Sequence, residues 1–204
     1  MQEFREQVQQ EAVQALLSNK RCSVNISVRL GKTKIGLDLL KHFDNVLVSY
    51  PNLSIRESWF DDAKKFGIDI SNVTFTTHLS LNKHNPEDFD AVIVDEIHDV
   101  SENQWEYLKE YNCIKGLTGT PPSRGSEKHK YMASYAPIVY EKKLSETVGK
   151  TNKDYEIIVH LVKPSEVKDI PLKGGRYWSE KAKVQFFENK YQSSFAFKDM
   201  LMLI

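Results

Sequence analysis

Apolar residues recur at two different spacings along the chain, and the spacing alternates from one segment to the next. Residues 3–18 carry apolar side chains at helical spacing, whereas residues 22–30 are rich in β-branched residues and predict a strand. A glycine turn follows, and residues 35–43 again have helical spacing. The chain therefore opens with a helix and then a strand–turn–helix unit.

The same alternation continues to about residue 122. Four further strands are predicted as short apolar runs at 45–51, 72–78, 89–96 and 113–122. Helices are predicted at 55–67 and at 101–111, where Ser101 and Gln104 have the spacing of a capping box. Continuous apolar strands that alternate with helices predict an α/β fold, with a parallel sheet covered by helices on both faces.

Beyond residue 122 the pattern is less regular. Residues 123–130 are polar and predict a loop, residues 155–164 predict a further strand, and the apolar C-terminal tail has helical character. We therefore expect a lobe over residues 1–163, followed by a connecting segment and an apolar helical tail over residues 164–204.

Charge and cysteine content limit which partners and which cellular compartment the sequence is compatible with. The 28 basic and 28 acidic residues cancel, so any contact with nucleic acid must be local rather than driven by a global basic field. Cys22 and Cys113 lie far apart and form no disulfide framework, which is typical of a reducing compartment. No apolar run reaches 18 residues, and the N-terminus is charged, so neither membrane insertion nor secretion is expected.

The segment SVRLGKT, residues 27–33, carries the first candidate chemistry. Gly31, Lys32 and Thr33 match the end of a phosphate-binding loop, but Ile26 stands where the strict pattern has its first glycine. Alone, these three residues are a weak signal, and a simple turn with a lysine is the alternative. Their position between an apolar strand and a helix favours the phosphate loop.

The segment VDEIHDV, residues 94–100, places Asp95 and Glu96 directly after an apolar strand. These acids belong either to a solvated loop or to a metal-and-water site, and an isolated His98 is more often a packing or surface residue. Thr118 and Thr120 lie in a glycine turn after the next strand. Because the carboxyl ends of parallel strands meet at one sheet edge, all these motifs can converge there.

Three motifs in this order carry a family resemblance. Lys32–Thr33, DEIH at 95–98 and TGTP at 118–121 resemble motifs I, II and III of superfamily 2 helicases and translocases, in the DExH branch. The first resembles variants found in phage helicases and in chromatin-remodelling translocases. Residues 3–13 resemble the upstream Q-motif region, and 50–66 resemble motif Ia with its helix. A phosphate-loop kinase or GTPase is disfavoured, because DEIH and TGTP have no reason to occur together there.

The resemblance implies a RecA-like phosphate-loop domain that uses ATP and Mg²⁺. It implies a nucleotide-binding set of Gln9, Arg29, Leu30, Gly31, Lys32 and Thr33. It implies that Thr33 and Asp95 hold the Mg²⁺, and that catalysis uses Lys32, Asp95 and Glu96. Gln9 is expected to read the adenine, with Gln7 as its rival. Arg29 stands where many relatives have a small glycine, and it either approaches a phosphate or faces solvent.

Further roles implied by the resemblance concern coupling and nucleic acid. The residues expected to couple nucleotide state to nucleic-acid contacts are His98, Thr118 and Thr120. The residues expected near the nucleic-acid backbone are Pro51, Asn52 and Thr77. DNA is favoured over RNA as the partner, and a bacterial or phage-infected cytoplasm is the expected location.

The expected function is that of the N-terminal ATP-binding lobe of an ATP-dependent DNA helicase or translocase. A second RecA-like lobe, in cis or in trans, is an expected partner, because the only candidate for the family's arginine-finger motif is GGRYW at 174–178, which lacks the glutamine and the second arginine. Such an arginine contributes about 10³–10⁵ in rate. The isolated chain is therefore expected to be weakly active at best. The alternative is a stand-alone, non-catalytic module that binds nucleic acid or regulates a helicase.

Overall fold

The computed structural model describes residues 2–147 of the 204-residue chain. In these residues strands alternate with helices, and the six strands form a single parallel sheet. The strands are β1 Arg21–Ile26, β2 Val46–Tyr50, β3 Val73–Thr77, β4 Ala91–Asp95, β5 Ile114–Thr118 and β6 Ile138–Lys142. The α-helices are α1 Gln2–Leu17, α2 Lys32–Leu40, α3 Leu53–Phe66, α4 Glu102–Leu108 and α5 Glu127–Tyr135.

The strands lie in the order β3-β2-β4-β5-β1-β6, and every pair is parallel. In the centre of the sheet, Ile93 of β4 pairs with Val48 on one side and with Lys115 on the other. The carboxyl ends of all six strands therefore lie along one edge. The predicted parallel sheet is confirmed.

Alternate residues of each strand face two separate hydrophobic cores. Ile93 packs with helices α1 to α3 around Trp59, whereas Val92 and Val94 pack with α4 and α5 around Trp105. Because successive side chains of a strand point to opposite faces, these two cores lie on opposite faces of the sheet. The prediction of helices on both faces is therefore confirmed.

A buried lysine joins α1 to the sheet. Lys115 of β5 is only 2 % exposed, and its ammonium group donates to the carbonyl oxygen of Leu16 at 2.6 Å and to that of Asn19. The last carbonyl groups of a helix have no partner within the helix, and the lysine supplies a charged donor to these two, which also accept from the weak thiol donor of Cys22. This contact holds the helix that carries Gln9 over the sheet.

The structure differs from the sequence-based prediction after β5. The polar segment 123–130 was predicted to be a loop, which is wrong from Glu127 onwards, because α5 begins there. Ser126 caps the helix by accepting from the backbone N–H of His129 at 3.2 Å. Only Met132 is fully buried on α5, so the helix has too narrow an apolar stripe to show a clear period.

Smaller differences concern the ends of several elements. Helix α2 covers Lys32–Leu40 rather than residues 35–43. The first strand ends at Ile26 rather than continuing to residue 30, and α4 ends at Leu108 rather than at residue 111. The predicted strand at 155–164 and the segment 164–204 lie outside the described residues. Within residues 2–147, no helix is both long enough and apolar enough to span a bilayer.

Candidate functional site

The loop between β1 and α2 has the backbone of a tight, glycine-like turn. Gly31 has a φ of 87° and Arg29 a φ of 68°, both in the left-handed region. This region costs a residue with a side chain about 1–2 kcal/mol. Arg29 therefore has a backbone conformation that usually favours glycine, while the buried Leu30 anchors the loop in the core. The loop leads directly into the first turn of α2 at Lys32.

Helix α1 presents Gln9 to this loop. The side-chain amide of Gln9 is buried and donates to the carbonyl oxygen of Leu30 at 2.8 Å. Gln7, its rival, is exposed and bonds Glu11 of the same helix instead. Gln9 is therefore the glutamine that lies against the loop, and its adenine-reading role stays a prediction.

A pocket of about 450 Å³ opens beside the loop. Its lining includes Arg29, Lys32 and Thr33, together with Arg5 from α1. The Nε of Arg5 is buried and has no hydrogen-bond partner. An unpaired donor among several cations suits an anionic ligand with acceptor oxygens, so the residues present fit a nucleotide. Arg5 was not predicted as a site residue from the sequence. The sequence feature that could have pointed to it is its position one helical turn before Gln9.

Asp95 ends β4 in a nearly closed environment, with an exposed fraction of 4 %. Trp59 of α3 donates its indole N–H to Oδ2 of Asp95 at 2.8 Å, and the backbone N–H of Glu96 donates to Oδ1 at 3.0 Å. Burial raises the pKa of Asp95, and the neighbouring Glu96 charge adds to this, whereas the indole hydrogen bond opposes it. The carboxyl group is therefore held by two donors in a position that disfavours its charge, and a cation would relieve that cost.

Glu96 leaves the strand in the left-handed conformation, with a φ of 49°. Its Oε1 lies 2.7 Å from Nζ of Lys32, so an ion pair joins the strand end to the loop. Both side chains are about a fifth exposed, which leaves the pair accessible to a ligand. The first two predicted motifs are thus in direct contact.

Each residue of this ion pair has a neighbour in the chain with an oxygen donor suited to Mg²⁺. The hydroxyl group of Thr33 lies in the first turn of α2, and the carboxyl group of Asp95 lies at the end of β4. Within residues 2–147, no group of three histidine, cysteine or acidic side chains forms a complete metal cage. Mg²⁺ usually takes one or two protein oxygens together with phosphates and waters, so this donor set fits Mg²⁺ bound with a nucleotide.

His98 lies at the centre of a hydrogen-bonded cluster. A short 3-10 turn, Ile97–Asp99, places its Nδ1 2.9 Å from Oγ1 of Thr118 and 3.3 Å from Oε2 of Glu96. Its Nε2 lies 3.1 Å from Oγ1 of Thr120. The three residues predicted to couple the site to its surroundings are therefore in mutual contact and reach Glu96.

The glycine between the two threonines lies close to the loop between β1 and α2. A Cβ atom on Gly119 would lie 2.9 Å from Nζ of Lys32 and 3.0 Å from the carbonyl oxygen of Ile26. The backbone of the turn after β5 therefore lies close to the side chain of Lys32. Lys32, Glu96 and the threonine turn form one continuous contact network at the carboxyl edge of the sheet.

The predicted nucleic-acid residues lie farther along the same edge. Pro51 and Asn52 follow β2, and Thr77 ends the neighbouring β3, where it pairs with Tyr50. Oδ1 of Asn52 accepts from the backbone N–H of Ile55 at 3.4 Å and caps α3. The structure thus gives Asn52 a structural task, and the nucleic-acid contacts stay a prediction.

Sequence patterns did not identify the buried His78 behind these strand ends. Its Nδ1 lies 2.6 Å from Oγ of Ser49 in β2, and burial lowers the pKa of its imidazole to about 4. A histidine at a strand end gives no sign of burial in the sequence, and here the packing of β2, β3 and β4 creates it.

Comparisons with known proteins give two sequence matches. Residues 68–123 match the family described as the type III restriction enzyme, res subunit. The DNA 3'-5' translocase XPB2 of Sulfurisphaera tokodaii is 26 % identical over 167 residues, which cover 73 % of this chain and 38 % of that protein. The chain therefore spans less than two fifths of the length of this relative.

Two solved structures have a similar fold. The Hef helicase domain of Pyrococcus furiosus superposes with a TM-score of 0.51 at 15 % identity, over 67 % of this chain and 36 % of that one. The SWI2/SNF2 ATPase core of Sulfolobus solfataricus, in complex with dsDNA, superposes with a TM-score of 0.50 at 15 % identity, over 65 % and 35 %. At this identity the likeness establishes the fold alone.

The fold, the order of the motifs and these matches together define the class. The described residues form an α/β RecA-like fold, and the sequence matches support an N-terminal RecA-like lobe of the superfamily 2 helicase and translocase type. The resemblance of residues 27–33 to the loops of phage helicases stays a prediction.

Proposed function

We propose that this lobe binds ATP with Mg²⁺ and forms the N-terminal ATP-binding half of a DNA helicase or translocase. The observation that carries the proposal is the contact network in which Lys32 meets Glu96, and Glu96 meets His98. A lysine on a phosphate-type loop, a pair of acids and a hydroxyl-bearing turn are the parts that phosphoryl transfer needs within one site.

Nucleotide binding is assigned to the loop and to α1. Lys32, Arg5 and the backbone N–H groups at the start of α2 take the phosphates, and Gln9, which contacts the loop at Leu30, takes the base. Arg29 adds a cation at the mouth of the pocket. Thr33 and Asp95 supply the oxygens for Mg²⁺, which when bound neutralises the phosphate charge and orients the terminal phosphate.

Hydrolysis is assigned to Glu96. In the ion pair with Lys32, the carboxylate of Glu96 is occupied by the ammonium group. When Lys32 turns to the phosphates, Glu96 is released to orient a water molecule and accept its proton. His98 then binds the other carboxylate oxygen of Glu96. Because its two ring nitrogens contact Thr118 and Thr120, a movement of Glu96 also displaces these two threonines.

The nucleic-acid partner and the second lobe are also part of the proposal. The relatives are described as a DNA translocase and as an ATPase core in complex with dsDNA, which supports DNA as the partner. Contacts are assigned to the strand ends at Pro51, Asn52 and Thr77. Fast turnover is expected to need a second RecA-like lobe that contributes an arginine.

Turnover of ATP by the 204-residue chain tests the hydrolytic assignment. We expect slow hydrolysis that double-stranded DNA stimulates more than RNA does, and that the substitution Glu96→Gln reduces at least tenfold. ATP affinity should be retained or increased in this variant, because Lys32 is released from its ion pair. Glu106→Gln, an exposed acid paired with Lys109, is the matched control.

A measurable turnover that is equal in the wild type and in Glu96→Gln would contradict the catalytic assignment. DNA binding without any nucleotide effect would favour the alternative, a non-catalytic module.

A further inference from the structure

The buried indole N–H of Trp59 needs a hydrogen-bond acceptor, and its acceptor is a carboxylate at the carboxyl edge of the sheet. Trp59 is fully buried in α3, and its Nε1–H donates to Oδ2 of Asp95 at 2.8 Å. Asp95 is the carboxyl group to which the proposed function assigns Mg²⁺. A core tryptophan thus touches the residue that would hold the metal, although Trp59 lies 36 positions earlier in the chain.

The indole completes the hydrogen bonding of the carboxyl group. Oδ1 of Asp95 accepts from the backbone N–H of Glu96 at 3.0 Å, and Oδ2 accepts from Trp59. Each oxygen then has one donor from the protein and keeps lone pairs for other partners. Two fixed donors set the rotation of the carboxylate about its side chain, and a metal ligand benefits from such outer contacts.

The ring itself cannot move without disturbing its neighbours. A Cβ atom on Gly36 of α2 would lie 2.2 Å from Cη2 of Trp59, so the two helices approach closely at this point. On the other side, Phe75 of β3 contacts the indole edge to face, with ring centroids 6.3 Å apart. The N–H is therefore held in one direction by packing from two elements.

The same helix begins at the proposed nucleic-acid edge. Asn52 caps α3 directly after β2, and Trp59 lies about two turns later on the same helix. A helix is rigid over this distance, so the capped end and Trp59 belong to one rigid element. α3 therefore links the Pro51–Asn52 corner to the carboxyl group of Asp95.

We infer that Trp59 is a positioning residue that orients Asp95 for Mg²⁺ through its indole N–H, and that α3 thereby connects the metal site to the nucleic-acid edge. The inference rests on the proposed function, because it takes Asp95 as the Mg²⁺ carboxylate. It assigns no direct contact with nucleotide or metal to Trp59.

The test removes the donor and keeps the ring. Trp59 is replaced by phenylalanine and, in a second variant, by benzothienylalanine, which has the shape of tryptophan but no N–H. Binding of a fluorescent, non-hydrolysable ATP analogue to the 204-residue chain is measured while Mg²⁺ is titrated, and again in EDTA. Trp105→Phe is the matched control, because Trp105 is equally buried but stacks on Tyr131 and Tyr135.

Both Trp59 variants should need roughly tenfold more Mg²⁺ for half-saturation, with the affinity in EDTA unchanged. Trp105→Phe should behave as the wild type. Double-stranded DNA should lower the Mg²⁺ requirement of the wild type and should have less effect on the benzothienylalanine variant.

An unchanged Mg²⁺ requirement in the benzothienylalanine variant would overturn the inference, even if Trp59→Phe were impaired, because ring packing alone would then explain the effect. Lys32→Ala, measured in parallel, separates this result from the proposed function. If Lys32→Ala binds the analogue as tightly as the wild type does, the nucleotide site itself is misassigned. If only Lys32→Ala is impaired, the site stands and the role of Trp59 fails.

Discussion

Replacing Gly31 with alanine perturbs the loop in two ways at once. Gly31 has a φ of 87°, and an added Cβ atom would lie 2.5 Å from Nε2 of Gln9. The methyl group therefore strains the backbone and displaces the amide that donates to the carbonyl oxygen of Leu30. Gly125 has nearly the same φ, 86°, and nothing lies within 4 Å of an added Cβ atom, so Gly125→Ala isolates the backbone term.

The two contributions can be estimated separately. The left-handed backbone costs an alanine about 1–2 kcal/mol, and this cost applies to both variants. Loss of the buried hydrogen bond from Gln9 costs about 1 kcal/mol more, and it applies only at Gly31. We therefore expect Gly31→Ala to lower the free energy of unfolding by about 2–3 kcal/mol and Gly125→Ala by about 1–2 kcal/mol.

Urea denaturation of the wild type and both variants measures these differences, and ATP titration measures the functional effect. Gly31→Ala should also lose nucleotide affinity and preference for ATP over GTP, because Gln9 is displaced from the loop. Gly125→Ala should keep both. Equal destabilisation of the two variants, or an ATP preference retained in Gly31→Ala, would refute the assigned contact between Gln9 and the loop.

Three further predictions concern Lys115, His98 and His78. Lys115→Met should destabilise the fold by roughly 2–4 kcal/mol in urea denaturation, because it removes charge-assisted bonds to the end of α1, and a wild-type midpoint would argue against this anchor. His98→Ala should keep ATP affinity but lose stimulation by DNA, and full stimulation would exclude its coupling role. The folded-state pKa of His78, about 4, lies below its ordinary value, so protonation favours unfolding. Stability from this group is complete above about pH 6.5 and is lost as the pH falls towards 4. His78→Gln should flatten that part of the stability-versus-pH curve, and an unchanged slope would contradict the assignment.

The strand ends could be predicted from the sequence, because a buried strand is a continuous run of apolar residues that stops where the strand leaves the core. The apolar run before Asp95 predicts a central strand, and parallel strands deliver their following residues to one edge. The contact between Lys32 and Glu96 is a consequence of that rule. The family resemblance also favoured Gln9 over Gln7, and Gln9 is the one that lies against the loop.

Contacts set by tertiary packing could not be predicted in this way. Trp59 is one apolar position of an amphipathic helix in the sequence, and only the packing of α2 and β3 around it directs its N–H towards Asp95. Lys115 interrupts an apolar strand without any sign of its partner, because that partner is the end of a helix about 100 residues away. The helix at Glu127–Tyr135 has too few apolar residues for its period to be visible.

Equilibrium binding of Mg·ATP, measured by calorimetry on the 204-residue chain and two lysine variants, tests the central claim most directly. Lys32 lines the loop pocket and pairs with Glu96, whereas Lys34, two residues later, pairs with Asp38 on the same helix. The account predicts that Lys32→Ala weakens Mg·ATP binding at least tenfold and that Lys34→Ala leaves it within twofold of the wild type. Equal affinity in all three proteins would contradict the assignment of this sheet edge as the nucleotide site.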